Sequence, residues 1–146
     1  MVEIRLLDKY TPEVGAAVRG LLIELSRSGK DKGEIPREWF EEVIASPYHD
    51  LILAGDEGEI LGMATVSIVM GAGSGKKEFL EDFVVSAKSR GKGVGGMIWE
   101  EILRWGREKG ASELEFTSGA GREAAWEFYQ KRGAEIYDTN FFRKGL

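Results

Sequence analysis

The chain has 146 residues, the length of one domain, and can bury a core without a covalent staple. It has no cysteine and a single histidine, His49, which excludes disulfides, thiolate metal sites, a cysteine nucleophile and a His-rich metal centre. The net charge of −5 disfavours general nucleic-acid binding.

The opening MVEIRLLDKY is charged within its first residues and reads as neither a signal peptide nor a membrane span, for which about 18 apolar residues are needed. A cytoplasmic protein without membrane partners is expected. One Asn and one Gln against many Glu, Lys and Arg resemble a thermophile composition. His49 reads as a structural or surface residue.

Val2 to Leu7 alternates around Ile4 and Leu6 and predicts a first strand. Thr11-Pro12 starts a helix, with Thr as N-cap and Pro at the first helical position. Val14, Val18, Leu21, Leu22 and Leu25 form its core face, and Ser28-Gly29 ends it. A polar loop follows from Lys30 to Ile35. Pro36 to Ala45 predicts a shorter helix carrying Trp39, Phe40 and Val43. Leu51 to Ala54 and Ile60 to Met70 read as a hairpin about a turn at Gly55 to Gly58.

Gly71 to Gly75 is a Gly-rich loop before Lys76-Lys77. A phosphate-loop motif would need Gly and Ser or Thr where Met70 and Lys77 stand, so a plain hairpin loop is expected. Phe79 to Val85 is the next strand. A helix from Val94 carries Met97, Ile98, Ile102 and Trp105 on one face and ends near Lys109-Gly110. Leu114 and Phe116 mark a strand, Arg122 to Arg132 a helix closed by Gly133, and Ile136-Tyr137 and Phe141-Phe142 two last strands. No repeat or linker divides residues 1–146. The expectation is one α/β domain of the α+β type, with a mixed central sheet of about six to seven strands and helices on both faces.

The segment from Glu81 to Gly96 carries the chemistry. A strand delivers the chain to a turn, and the turn opens a helix. Gly91, Gly93, Gly95 and Gly96 let the backbone approach a ligand closely. The first N–H groups of the helix have no partner within it and sit at the positive end of its dipole, a site suited to phosphate. Lys88, Arg90 and Lys92 add local positive charge; the plainer reading is a Gly-rich turn with a solvated basic edge.

Two ligand classes compete for this turn. Gly91-x-Gly93-x-x-Gly96 has the spacing of the dinucleotide fingerprint, with Glu113 and Glu115 downstream. Against it, the polar run Ser86 to Ser89 separates strand from glycines, the motif lies past the middle of the chain, and about 30 residues after Glu115 are too few for a second nucleotide-binding half.

Arg90-x-x-Gly93-x-Gly95 resembles the Q/R-x-x-G-x-G/A pattern of the GNAT superfamily of N-acetyltransferases. Leu80 to Val85 is similar to that family's fourth strand, and Ala125-Trp126-Glu127-Phe128-Tyr129-Gln130-Lys131-Arg132-Gly133 to its A-x-x-F/L-Y-E-K-x-G-F segment. The order of one strand, two helices and three strands before the motif is also similar. Three positions depart from the pattern: Ala87 for Pro, Arg122 for an Asn that helps hold CoA, and Ala134 for an aromatic.

The resemblance implies acetyl-CoA as co-substrate, no metal, and an amine acceptor attacking directly in a ternary complex. It implies a cofactor site of Phe83, Val84, Val85, Arg90, Gly91, Lys92, Gly93, Val94, Gly95, Gly96 and Arg122, with the fourth strand splayed from the fifth and the Val85 N–H polarising the acetyl carbonyl. It places Tyr129 as the general acid that protonates the leaving thiolate, where the plainer reading is a core aromatic. The amine must first lose a proton, since an ammonium with a pKa of about 10 cannot attack. Glu81 is the candidate base, directly or through water; alternation puts it on the face of Phe83 and Val85, and Asp82 on the other. The plainer role is a salt bridge.

Glu34, Glu38, Glu41 and Glu42 cluster in the expected acceptor wall, and Trp39 and Phe40 add an apolar face able to hold a methylene chain or a cation. A small cationic amine is therefore the expected acceptor. Protein N-terminal or lysine acetylation, a CoA-binding domain without turnover, and a homodimer stay open.

Overall fold

The computed structural model describes all residues, 1–146, and the chain divides into two compact units, Met1–Phe116 and Thr117–Leu146. In the first, β1 (Glu3–Leu6), β2 (His49–Asp56), β3 (Glu59–Gly71) and β4 (Gly75–Val85) form an antiparallel meander. β5 (Leu114–Glu115) joins parallel to β4 after α3 (Val94–Glu108), giving one mixed sheet in the order β1-β2-β3-β4-β5. Local chemistry sets the boundaries. Thr11 Oγ1 accepts from Val14 N at 3.2 Å and caps α1 (Pro12–Leu25). Glu57 and Gly58, at φ 49° and 82°, make the two-residue turn between β2 and β3, with both central residues left-handed.

Alternation along the strands builds a layer on each face of the sheet. Leu51, Leu53, Met63 and Val84 join Val14, Val18 and Leu21 of α1 and Phe40 and Val43 of α2 (Arg37–Ala45) in one buried cluster. The opposite face pairs Ile52 with Ala64 and Ala54 with Gly62, and α3 covers it with Ile98, Trp99, Ile102 and Trp105. Gly62 is required by close packing, since a Cβ there would lie 2.9 Å from the backbone Val84 O as well as 2.9 Å from Ile98 Cδ1. Trp105 is fully buried and donates its indole N–H to Asp50 Oδ2 at 2.7 Å, so its polar atom is satisfied.

The second unit holds α4 (Glu123–Gln130), with Gly133 at φ 87° just beyond it as a C′ glycine. The sheet has five strands rather than six or seven, because residues 136–137 and 141–142 form none. Each apolar pair is too short for the period-2 pattern of a strand, and Thr139 N turns back to Tyr137 O at 3.0 Å between them. Their side chains, Phe142 at 87% among them, are exposed. No helix is long and apolar enough to cross a membrane.

Candidate active site

The Gly-rich segment follows β4 through a 3₁₀ turn (Ala87–Ser89) into α3. Gly93 is the N-cap of α3 at φ 82°, a left-handed conformation that disfavours a side chain. No side chain caps this end. The first helical bond runs from Met97 N to Gly93 O, which leaves the N–H groups of Val94, Gly95 and Gly96 without helical partners. Gly91 is also left-handed, and a Cβ at Gly91 or Gly93 would meet open space. The glycines thus answer to backbone conformation and to something approaching from outside. The turn is anchored from behind: Ser86 N donates to Leu61 O at 2.7 Å, Ala87 N to Glu24 Oε1 at 3.2 Å, and Arg90 Nε to Val85 O at 3.1 Å. Lys88 is paired with Glu59, so the positive charge of the turn rests on Arg90 and on exposed Lys92.

β4 runs beside this turn. β5 pairs with it at Glu78 and Phe79, and the ladder between the two strands does not run on toward Val85. Because Ser86 N points to β3, the N–H of the preceding Val85 points the other way, to the edge facing away from β3. Beneath this edge Trp99 stacks on Phe83 at 6.5 Å and meets Phe116 edge-on at 6.0 Å.

A β-bulge changes the faces expected from alternation. Thr65 pairs with Glu81 and Met63 with Val84, so Ala64 alone opposes Asp82 and Phe83. Asp82 takes up the extra residue at φ 52°, a conformation that Asp tolerates better than most side chains. Leu80 and Phe83 consequently lie on the α3 face, while Glu81 and Asp82 turn toward Thr65. This corrects the expectation that Glu81 shares a face with Phe83 and Val85. Glu81 is exposed; Asp82 is half-buried and accepts from Thr65 Oγ1 at 3.4 Å. Burial raises the Asp82 carboxyl above its ordinary value, opposed by the Thr65 hydrogen bond and the positive charge of Lys32. Sequence reasoning missed Asp82, although an Asp inside an apolar strand is itself a signal of a bulge.

Asp82 lies in a cavity of about 480 Å³ between α1, the loop before α2, and β3. Trp39 reaches this cavity, whereas Phe40, expected beside it as an acceptor contact, is fully buried in the core against Tyr10 and Trp39. Helical spacing turns these neighbours to different sides of α2. Glu38, Glu41 and Glu42 do not line the cavity; Glu41 pairs with Arg37 at 2.6 Å, and of the expected acidic wall only Glu34 lines it.

The pattern that defines the acetyltransferase (GNAT) family matches residues 18–134. The chain belongs to that family. The GNAT fold is also found in solved structures similar to it. Aminoglycoside N-acetyltransferase AAC(6')-Iy in complex with CoA is 25% identical over 100% of this chain and 96% of its own, with a TM-score of 0.79. Glucosamine-6-phosphate N-acetyltransferase from Arabidopsis thaliana is 22% identical over 99% and 98%, with a TM-score of 0.74. An aminoglycoside acetyltransferase from an uncultured soil metagenomic sample, in complex with trehalose, is 17% identical over 99% and 97%, with a TM-score of 0.83. No curated protein matches the chain.

The remaining residues of the GNAT pattern lie in the second unit. Tyr129 is on α4, edge-on to Phe128 at 5.6 Å, and burial raises its phenol pKa while the charge of Arg122 lowers it. Arg122 is the N-cap residue of α4, and its carbonyl accepts from Trp126 N at 3.0 Å. Arg132 stacks over the Phe128 ring at 3.6 Å.

Proposed function

We propose that this acetyltransferase moves acetyl from acetyl-CoA to a primary amine by direct attack in a ternary complex, with residues 1–146 acting as one catalytic domain. The observation that carries the reading is the uncapped start of α3 at left-handed Gly93, next to the end of β4 beyond its short ladder with β5. Phosphate oxygens would be held by the free N–H groups of residues 94–96, with Gly91 and Gly93 clearing space and Arg90 and Lys92 adding charge. Phe83, Val84 and Val85 would line the thioester arm, and the Val85 N–H would bond the carbonyl oxygen as negative charge develops there. Arg122 takes the place of the family's CoA-holding Asn.

Tyr129 is assigned as general acid from its place in the family pattern. A phenol held above its ordinary pKa stays protonated until the thiolate leaves. Glu81, being exposed, would act through water, passing the amine's proton to solvent. A cationic acceptor is supported by the half-buried Asp82 carboxylate in the cavity, since Asp31 is already paired with Arg19, and by the aminoglycoside N-acetyltransferase AAC(6')-Iy among the similar structures.

The test is calorimetric titration with CoA and with NAD, followed by CoA release in the presence of polyamines, aminoglycosides, amino sugar phosphates and basic peptides. Binding of CoA and turnover of a cationic amine are expected. Tight NAD binding without CoA binding would overturn the reading.

A further inference from the structure

The cavity beside α1 joins exposed charged residues to a partly buried apolar wall. Its charged mouth holds Lys30, Lys32 and Glu34, together with an Arg19–Asp31 pair closed by two bonds of 2.7 and 2.9 Å. Its wall is apolar, made by Leu22, Leu25, Ile35 and Trp39, all partly buried against the core. On β4 and β3 it reaches a single carboxylate, Asp82, with Thr65 beside it.

From this arrangement we propose that the acceptor is an aliphatic primary amine on an extended methylene stem, with its ammonium at Asp82 and its stem along the Leu22, Leu25, Ile35 and Trp39 wall. The proposal deepens the acetyl-transfer reading and rests on it. A half-buried carboxylate gains most from an ammonium, which replaces the solvation lost on burial. Methylenes gain by leaving water against Leu and Ile. Hydroxyls turned onto the Leu22, Leu25, Ile35 and Trp39 side chains would find no partner on that stretch, and each unpaired polar group is unfavourable. In this proposal Asp82, whose carboxyl burial raises, replaces Glu81 as the group that takes the amine's proton before attack.

The step balances. R–NH₃⁺ gives one proton to Asp82, and the neutral nitrogen attacks the acetyl carbon. The N–C bond forms, the C–S bond breaks, and the thiolate takes one proton. The nitrogen sheds a second proton as the amide forms, so R–NH₃⁺ and acetyl-CoA give R–NH–acetyl, CoA thiol and one proton.

The test uses the full chain with acetyl-CoA and the series ethylamine to hexylamine, set beside glucosamine and an aminoglycoside. kcat/KM should rise about threefold to fourfold per methylene along the stem, the factor expected for one buried CH₂. Asp82→Asn keeps the shape and the tolerance for a left-handed backbone; it should raise the KM for the amine and lower kcat, with the KM for acetyl-CoA little changed. Ile35→Thr should flatten the chain-length slope. A flat series in the wild-type protein, or turnover of the sugar amines in preference to hexylamine, overturns this proposal while leaving acetyl transfer standing. Failure to bind CoA would instead remove the acetyl-transfer reading beneath it.

Discussion

Glu78 presents the largest electrostatic cost in the fold, and removing it should make the protein's stability less sensitive to alkali. The side chain is 2% exposed, and its Oε2 is buried without a hydrogen-bond partner. Burial pushes its carboxyl from 4.5 up to about 8. The folded state therefore holds this proton more tightly than the unfolded chain, so stability is fully kept below about pH 4.5. It falls as pH rises toward 8 and is flat beyond. A displacement of this size corresponds to about 5 kcal/mol over the whole window and about 3 kcal/mol at pH 7. Against a total stability of roughly 5–15 kcal/mol this is large. Glu78→Gln keeps the shape and removes the titration. Urea unfolding of both proteins at pH 4, 7 and 9 isolates the effect, because the other titrating groups are common to the two and cancel in the difference. Glu78→Gln should be no more stable than wild type at pH 4 and should gain about 5 kcal/mol relative to it by pH 9. A difference that stays constant with pH would refute the reasoning and show that ionised Glu78 is paired or hydrated.

Gly106→Ala places a Cβ 2.2 Å from Glu78 Oε1, so it should destabilise the fold by about 1–3 kcal/mol despite the better helix former, and adding Glu78→Ala should recover part of the loss in the same urea assay. Gly93→Val forces a β-branched residue into a left-handed turn and fills the approach to the free N–H groups; CoA binding should fall below calorimetric detection while the circular dichroism spectrum stays folded. Tyr129→Phe keeps the ring and removes the proton, so kcat should fall roughly 100-fold with the KM for acetyl-CoA little changed, and unchanged turnover would return Tyr129 to a packing role.

Much of this protein follows from local chemistry and was legible as sequence. Thr11-Pro12 specifies the start of α1 through one side-chain cap and one preset φ. Glu57-Gly58 specifies a tight turn. The glycines at 91 and 93 specify a turn that few side chains could make, and with Arg90 and Gly95 they carried the family resemblance. Period and punctuation act within a few residues, so they survive in the linear text.

The acceptor side is different in kind. The bulge at Asp82 exists because Thr65 and Met63 pair across it out of step, and a single extra residue reverses the faces of everything on one side of it. Phe40 and Trp39 are neighbours in the chain, yet only the direction of α2 against the sheet decides that one fills the core and the other lines the cavity. Ile136-Tyr137 and Phe141-Phe142 are apolar enough for strands but too short to alternate, and local propensity alone does not supply a partner strand. The turn that would hold phosphate is thus written in residues 90–96 themselves. Which carboxylate faces the amine was decided only when β3, β4 and α1 came together, because register and burial are properties of contacts between distant segments.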